Sequence, residues 1–141
     1  MRDMFNQVTP KRALSPVSVA DNTAQVCEII DRKDYESLTY LILTGSLGDA
    51  GAEFTVLLEE GDASNMSDAA AVADADLLGT EALASFIQSD DNKCFKLGYR
   101  GSKRYTRLTI TPTNNATAAL LAVTALLGHP QSSAPTVNPP A

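Results

Sequence analysis

The sequence predicts an all-β protein, a jelly roll or a related antiparallel β-sandwich, and three observations carry that prediction. Several segments alternate apolar and polar residues with the period of two that a half-buried strand requires. The clearest runs from Glu53 to Glu60, where Phe54, Val56 and Leu58 alternate with Glu53, Thr55, Leu57 and Glu59. Turn-forming clusters punctuate these segments, as at Gly45–Gly51 and Ser89–Asn92. The resulting seven or eight strands, with short turns and one long excursion, suit two sheets packed face to face, because each sheet then buries its apolar face.

Taken in order, residues 1–22 mix charges, small polar groups and two prolines, Pro10 and Pro16. This composition predicts an extended N-terminal arm, with room for a short strand over Pro16–Ala20. Ala24–Ile30 and Tyr35–Leu43 are rich in Val, Ile, Leu, Tyr and Thr and flank a polar Asp31–Asp34 turn, which predicts two antiparallel strands. In the second, Leu38, Tyr40 and Ile42 share one face and Ser37, Thr39, Leu41 and Leu43 the other. Both faces carry bulk, so this strand is expected at the centre of a sheet.

After the Glu53–Glu60 strand, residues 61–80 are dominated by Ala, Asp and Ser and predict a long surface excursion, with Ser67–Asp68 placed to cap one helical turn. Strands are expected again at Ala82–Gln88, Lys93–Tyr99 and Arg104–Thr111. The last two read as a hairpin about Arg100–Lys103, with Gly101 supplying a positive φ. In Thr117–Leu127 the Ala and Leu content favours helix, whereas the length and the Gly128-His129-Pro130 stop favour a buried last strand; strand is the reading adopted. Four of the seven prolines fall in residues 128–141, a composition that predicts a flexible tail. The expected organisation is an arm (1–22), one sandwich domain (23–128) and a tail (129–141).

At 141 residues with 44% hydrophobic and 20% charged residues, the chain has the profile of one ordinary globular domain. No apolar stretch approaches the ~20 residues of a membrane-crossing helix, and the start lacks the apolar run of a secretory signal. Folding in a cytosol is therefore expected, with Cys27 and Cys94 as free, buried thiols. A net charge of -6 argues against general affinity for nucleic acid. The charge is unevenly spread: Asp34–Asn92 holds 13 acidic residues and no Lys or Arg, whereas Lys93–Arg107 holds six basic residues and no acid.

Catalytic, metal and cofactor sites are not expected. The only histidine, His129, lies between Gly128 and Pro130 at the edge of the predicted tail, a poor place for a base poised beside a nucleophile. Gly45–Gly51 lacks the Lys-Ser/Thr of a phosphate loop, and Asp62–Asp68 lacks the ligand ladder of an EF-hand. Carboxylates such as Glu59-Glu60 or Asp74 and Asp76 read as a solvated acidic face. One cluster stands out for binding: Lys96, Arg100, Lys103, Arg104 and Arg107, with Lys93 nearby and Phe95, Tyr99 and Tyr105 interleaved. It is a candidate protein-docking surface, or else a stacking platform for single-stranded nucleic acid. If the aromatics serve the core, only the charges face outward.

The run Lys96-Leu97-Gly98-Tyr99-Arg100-Gly101-Ser102-Lys103-Arg104-Tyr105-Thr106-Arg107-Leu108-Thr109-Ile110-Thr111 resembles a segment of small virion proteins of tailed bacteriophages. Ala73-Asp74-Ala75-Asp76-Leu77-Leu78-Gly79 and Leu126-Leu127-Gly128-His129-Pro130 add to the likeness, which spans roughly residues 35–130. The family it resembles is the jelly-roll cement, or decoration, proteins of capsids with an HK97-type shell. The resemblance implies a non-enzymatic homodimer, made in the host bacterial cytoplasm, that binds the capsid exterior and bridges major capsid protein subunits. It transfers no active site, cofactor or membrane association. The alternatives are a head-tail connector or tail component, and a single-strand-binding β module.

Overall fold

A computed structural model describes residues 2–131. Eleven strands lie in this span: β1 (Val8–Val19), β2 (Gln25–Val26), β3 (Ile30–Asp31), β4 (Tyr35–Leu47), β5 (Glu53–Gly61), β6 (Ala70–Ala71), β7 (Leu77–Leu78), β8 (Phe86–Ile87), β9 (Cys94–Tyr99), β10 (Tyr105–Thr113) and β11 (Ala119–Pro130). A single helical turn, α1 (Glu81–Ala84), precedes β8. The first sheet has the order β1-β11-β4-β9-β7. In the second, β2 and β3 pair with one side of β10, β5 with its other side, and β6 and β8 with the far side of β5.

All pairings are antiparallel. No two long strands consecutive in the chain lie side by side, because each long connection crosses to the other sheet or over an intervening strand. That strand order is a jelly roll, in which two Greek keys close a sandwich.

The core lies between the sheets and follows the period-two pattern. Phe54, Val56 and Leu58 of β5 are buried, as are Leu38, Tyr40 and Ile42 of β4 and Leu108 and Ile110 of β10. In β11 the inward set is Ala119, Leu121, Val123, Ala125 and Leu127. Helix propensity loses there because β11 pairs on both sides, with β1 and β4, and tertiary pairing outweighs a few tenths of a kcal/mol per residue. Polar and aromatic contacts tie the sheets together. Tyr40 Oη and Thr106 Oγ1 lie 2.8 Å apart, a buried bond from β4 to β10, and burial pushes the Tyr40 phenol well above its ordinary pKa. Phe86 stacks on Phe54 at 4.8 Å and on Phe95 at 5.7 Å, linking β8 and β5 to β9 across the core.

Several expected elements are placed differently. Residues 8–19 are extended but form no free arm: β1 is the edge strand of the first sheet, and Thr9, Ala13 and Val19 are buried. Its prolines are tolerated because an edge strand with register shifts, here between Arg12 and Leu14 and between Leu14 and Val17, has fewer ladder bonds to lose. Asn115 pins the exit of β1, its amide donating to the carbonyls of Val19 at 3.0 Å and Asp21 at 3.1 Å. The predicted strand pair Ala24–Ile30 and Tyr35–Leu43 does not pair, since β2 and β3 join β10 while β4 joins β11 and β9.

Ser67–Asp68 caps no helix; the Asp68 carboxylate instead accepts from the backbone N–H groups of Asp62 (2.7 Å) and Ala63 (3.1 Å) and closes their loop. Ala82–Gln88 is divided between α1, capped by Thr80 Oγ1 accepting from Leu83 N, and the two-residue β8. His129 and Pro130 belong to β11, the Gln131 N–H donates to Asp34 O at 2.9 Å, and residues 132–141 of the expected tail lie outside the described span.

Hydrogen-bonded loop carboxylates lead us to expect that acid weakens this fold. Asp49 accepts from Gly51 N at 3.0 Å and Ala116 N at 2.9 Å, joining two loops, and these bonds hold its carboxyl below the ordinary 3.8. The N–H groups of Asp62 and Ala63 do the same for Asp68, and Lys93 followed by Ile87 N for Asp90. A carboxyl whose folded pKa is depressed contributes stability in full above its unfolded pKa and loses it as pH falls through the folded value. The thermal midpoint is therefore expected to fall between about pH 5 and about pH 2.5. Asp49→Asn should lower the midpoint at the upper pH and differ little from the parent at the lower one, which thermal denaturation across that range checks.

Candidate docking surface

β9 ends at Tyr99 in one sheet and β10 begins at Tyr105 in the other, so Arg100–Arg104 is an arch between sheets rather than a hairpin turn. Alternation identified both strands correctly but says nothing of their partners. Three side chains hold the arch. Arg32 donates through Nε and Nη2 to Lys103 O at 3.0 and 2.7 Å, and through Nη2 to Gly101 O at 3.0 Å. Its guanidinium lies over the Tyr99 ring, 4.6 Å from the centroid. The Tyr99 hydroxyl donates to Glu60 and accepts from Lys103 N at 3.0 Å. Burial, followed by the Glu60 carboxylate, raises the Tyr99 pKa. Gly101 does not adopt a positive φ. Glycine is needed for space, because a Cβ there would stand 2.5 Å from Tyr99 Oη.

The five basic candidates do not share one free face. Lys103 Nζ pairs with Asp62 at 2.6 Å, Arg104 makes two 2.9 Å bonds to Asp31, and Arg107 pairs with Glu59, its register partner on β5, at 3.1 Å. Arg100 donates through Nε to Ala75 O at 3.0 Å. Lys96 points from the outer face of the first sheet and Arg107 from that of the second. The acidic and basic segments of the sequence thus lie against each other and largely neutralise locally. Phe95 and Tyr99 pack with the core, and Tyr105 is half-buried with the Arg104 guanidinium 5.0 Å from its ring centroid, so an open aromatic stacking platform is not formed.

A different surface emerges on the outer side of the first sheet. The register sets its residues in rows: Pro10, Leu126, Thr39, Gly98 and Leu78; then Arg12, Thr124, Leu41 and Lys96; then Ala122, Leu43 and Cys94. Leu43 is 55% exposed and Leu120 46%. Leu120 lies directly over Gly45, where a Cβ would come within 2.9 Å of Leu120 Cβ. Together with Pro16, Val17, Ala122 and Asn92 they line an open groove of ≈ 520 Å³ without a charged residue. Of 17 acidic residues, only Glu36 lies in the strands of this sheet, exposed at the start of β4 and outside the three rows. The signal for this surface was present in the sequence as bulk on both faces of β4 and β11.

Other candidates are modest. His129 Nδ1 and Ser37 Oγ lie 2.9 Å apart beside a cleft of ≈ 100 Å³, with His129 at φ 50°. Cys27 is buried, and burial pushes its thiol up to about 12; Cys94, expected to be buried, is exposed on the outer face. Among the described residues no cluster of three or more His, Cys, Asp or Glu is placed to hold a metal, and no helix is long and apolar enough to cross a membrane. Compared with known protein families and with curated protein sequences, the chain matches none.

Proposed function

We infer that this protein is a structural component of a phage particle, binding the outside of the capsid as a homodimer and bridging neighbouring major capsid protein subunits to stabilise the shell. The observation that carries the reading is a jelly roll that turns outward a sheet face with an apolar centre and no carboxylate in the rows around its groove: such a face on an acidic protein serves association. The sequence likeness around Gly98–Tyr105 supplies the particular setting. Within this reading the shell-facing contacts are drawn from the arch residues Arg100, Lys103 and Arg104, since Lys96 and Arg107 leave the outer faces of opposite sheets. Arg100 leads, being exposed and bonded only to a backbone carbonyl. Ion pairs at the other arch residues are solvent-exposed and screened, so they can exchange partners on docking.

The test is incubation of the purified chain with expanded shells that lack it. Saturable binding and a raised temperature of shell disruption are expected. Arg100→Glu should weaken occupancy roughly tenfold, with the loss growing as ionic strength falls, because an acid facing a negative site repels through less screening. Shells left uncoated and no more heat-resistant at saturation would remove the decoration reading, and full occupancy by the Arg100→Glu variant would remove the arch from the contact.

A further inference from the structure

We propose that the outer face of the β1-β11-β4-β9 sheet is the surface through which two copies of this chain associate, so that the dimer is a back-to-back pair of jelly rolls. The inference deepens the homodimeric reading above and rests on it.

Three observations select a second copy as the occupant. The first is electrostatic. At net charge -6 two copies repel at most orientations, yet the register rows around the groove hold no carboxylate, the one acidic residue of these strands, Glu36, standing at the start of β4 away from it. The two cations of the face, Arg12 and Lys96, stand at opposite ends of one register row, with Thr124 and Leu41 between them. Arg12 is already paired with Glu28 at 3.5 Å. The face therefore has an uncharged centre and a charged rim, the arrangement of protein interfaces.

The second is self-complementarity. A two-fold contact must match a patch to itself, which an apolar centre does and a centre of single-sign charge does not. Leu43 and Leu120, half-exposed and adjoining the groove, supply side chains to fill the copy of that groove opposite.

The third is size. Four strands at ~4.8 Å spacing and ~30 Å of β11 give a face of roughly 600 Å² in projection, before side-chain relief, against the roughly 800 Å² each partner contributes to a standard stable interface. The edges of the sheet offer less. β1 carries Pro10, Pro16 and two register shifts, features that discourage strand addition, and β7 is two residues long.

Sedimentation of the full chain over a concentration series tests the proposal, with parallel measurement of the unfolding midpoint. The expected mass is close to twice 14.9 kDa. Leu43→Lys and Leu120→Lys, at exposed positions, should retain the parent's midpoint while weakening association roughly 30-fold or more each. Leu57→Lys, on the outer face of the second sheet, should leave the dimer unchanged. Cys94 adjoins Leu43 in the register and provides a second readout: a thiol reagent should label it about tenfold more slowly in the parent dimer than in the Leu120→Lys monomer, with Cys27 silent in both.

A parent that stays monomeric at about 100 µM overturns the proposal. So does a dimer indifferent to both lysines, or one whose Cys94 is labelled at the monomer rate. Shell binding is scored separately. A monomer that still coats shells, and fails to do so as Leu43→Lys, would give this face to the capsid and sink the dimer; a dimer that ignores shells would sink the decoration reading and leave the interface standing.

Discussion

Leu97→Ala is expected to destabilise the protein by about 2–5 kcal/mol, the cost of deleting a fully buried leucine and leaving a partly collapsed cavity. Leu97 is completely inaccessible and sits in β9 opposite Tyr40 of β4, on the inner face of the first sheet. One residue earlier, Lys96 faces outward, and Lys96→Ala should change stability by no more than about 0.5 kcal/mol. Urea denaturation separates the two: the Leu97 variant shifts the midpoint with its slope unchanged. Comparable losses at both positions would mean that β9 does not have the period-two exposure described.

Gly101→Ala is expected to cost about 1–3 kcal/mol, although it adds one methyl group to a half-exposed arch. The obstacle is the Tyr99 ring, which cannot swing aside. Glu60 and the Lys103 amide hold its hydroxyl, Arg32 covers its face, and the residue is 1% exposed. Tyr99→Phe should cost a similar amount by another route, since it leaves the Glu60 carboxylate and the Lys103 N–H without their partner. Because the ring itself remains, the phenylalanine variant relieves only part of the clash, and the double variant should depart from additivity. Urea unfolding of the four proteins measures that coupling. A neutral Gly101→Ala would contradict an arch closed over Tyr99.

The strands were largely legible in the sequence, and their partners were not. Phe54, Val56 and Leu58, or Leu108 and Ile110, declare a buried face because burial acts on each residue separately. Pairing depends on where the chain goes next. The four-residue links Asp31–Asp34 and Arg100–Lys103 suit a hairpin and an arch equally well, and the arch here is chosen by Arg32, more than 65 residues away from the carbonyls it binds. β1 was hidden for a related reason: Pro10, Pro16, Lys11 and Arg12 describe an edge strand as well as they describe a free arm.

The basic cluster misled for want of a third dimension. Asp31, Glu59 and Asp62 are distant in sequence from Arg104, Arg107 and Lys103 and adjacent to them in the fold. The apolar outer face left a better trace. Leu41 and Leu43 opposite Leu38, Tyr40 and Ile42 signalled a strand with bulk on both sides. One side fills the core, and the other is turned outward with none of the described residues layered over its exposed Leu43 and Leu120.

The claim on which the functional account stands is that this polypeptide works by coating a particle many times over. Quantitative mass spectrometry of purified phage particles carrying this gene addresses it directly, by the ratio of this chain to the major capsid protein. The account predicts hundreds of copies per particle, released by treatments that strip exterior proteins while the shell stays closed. A count of about six or twelve, the stoichiometry of a ring, or absence from the finished particle would contradict it.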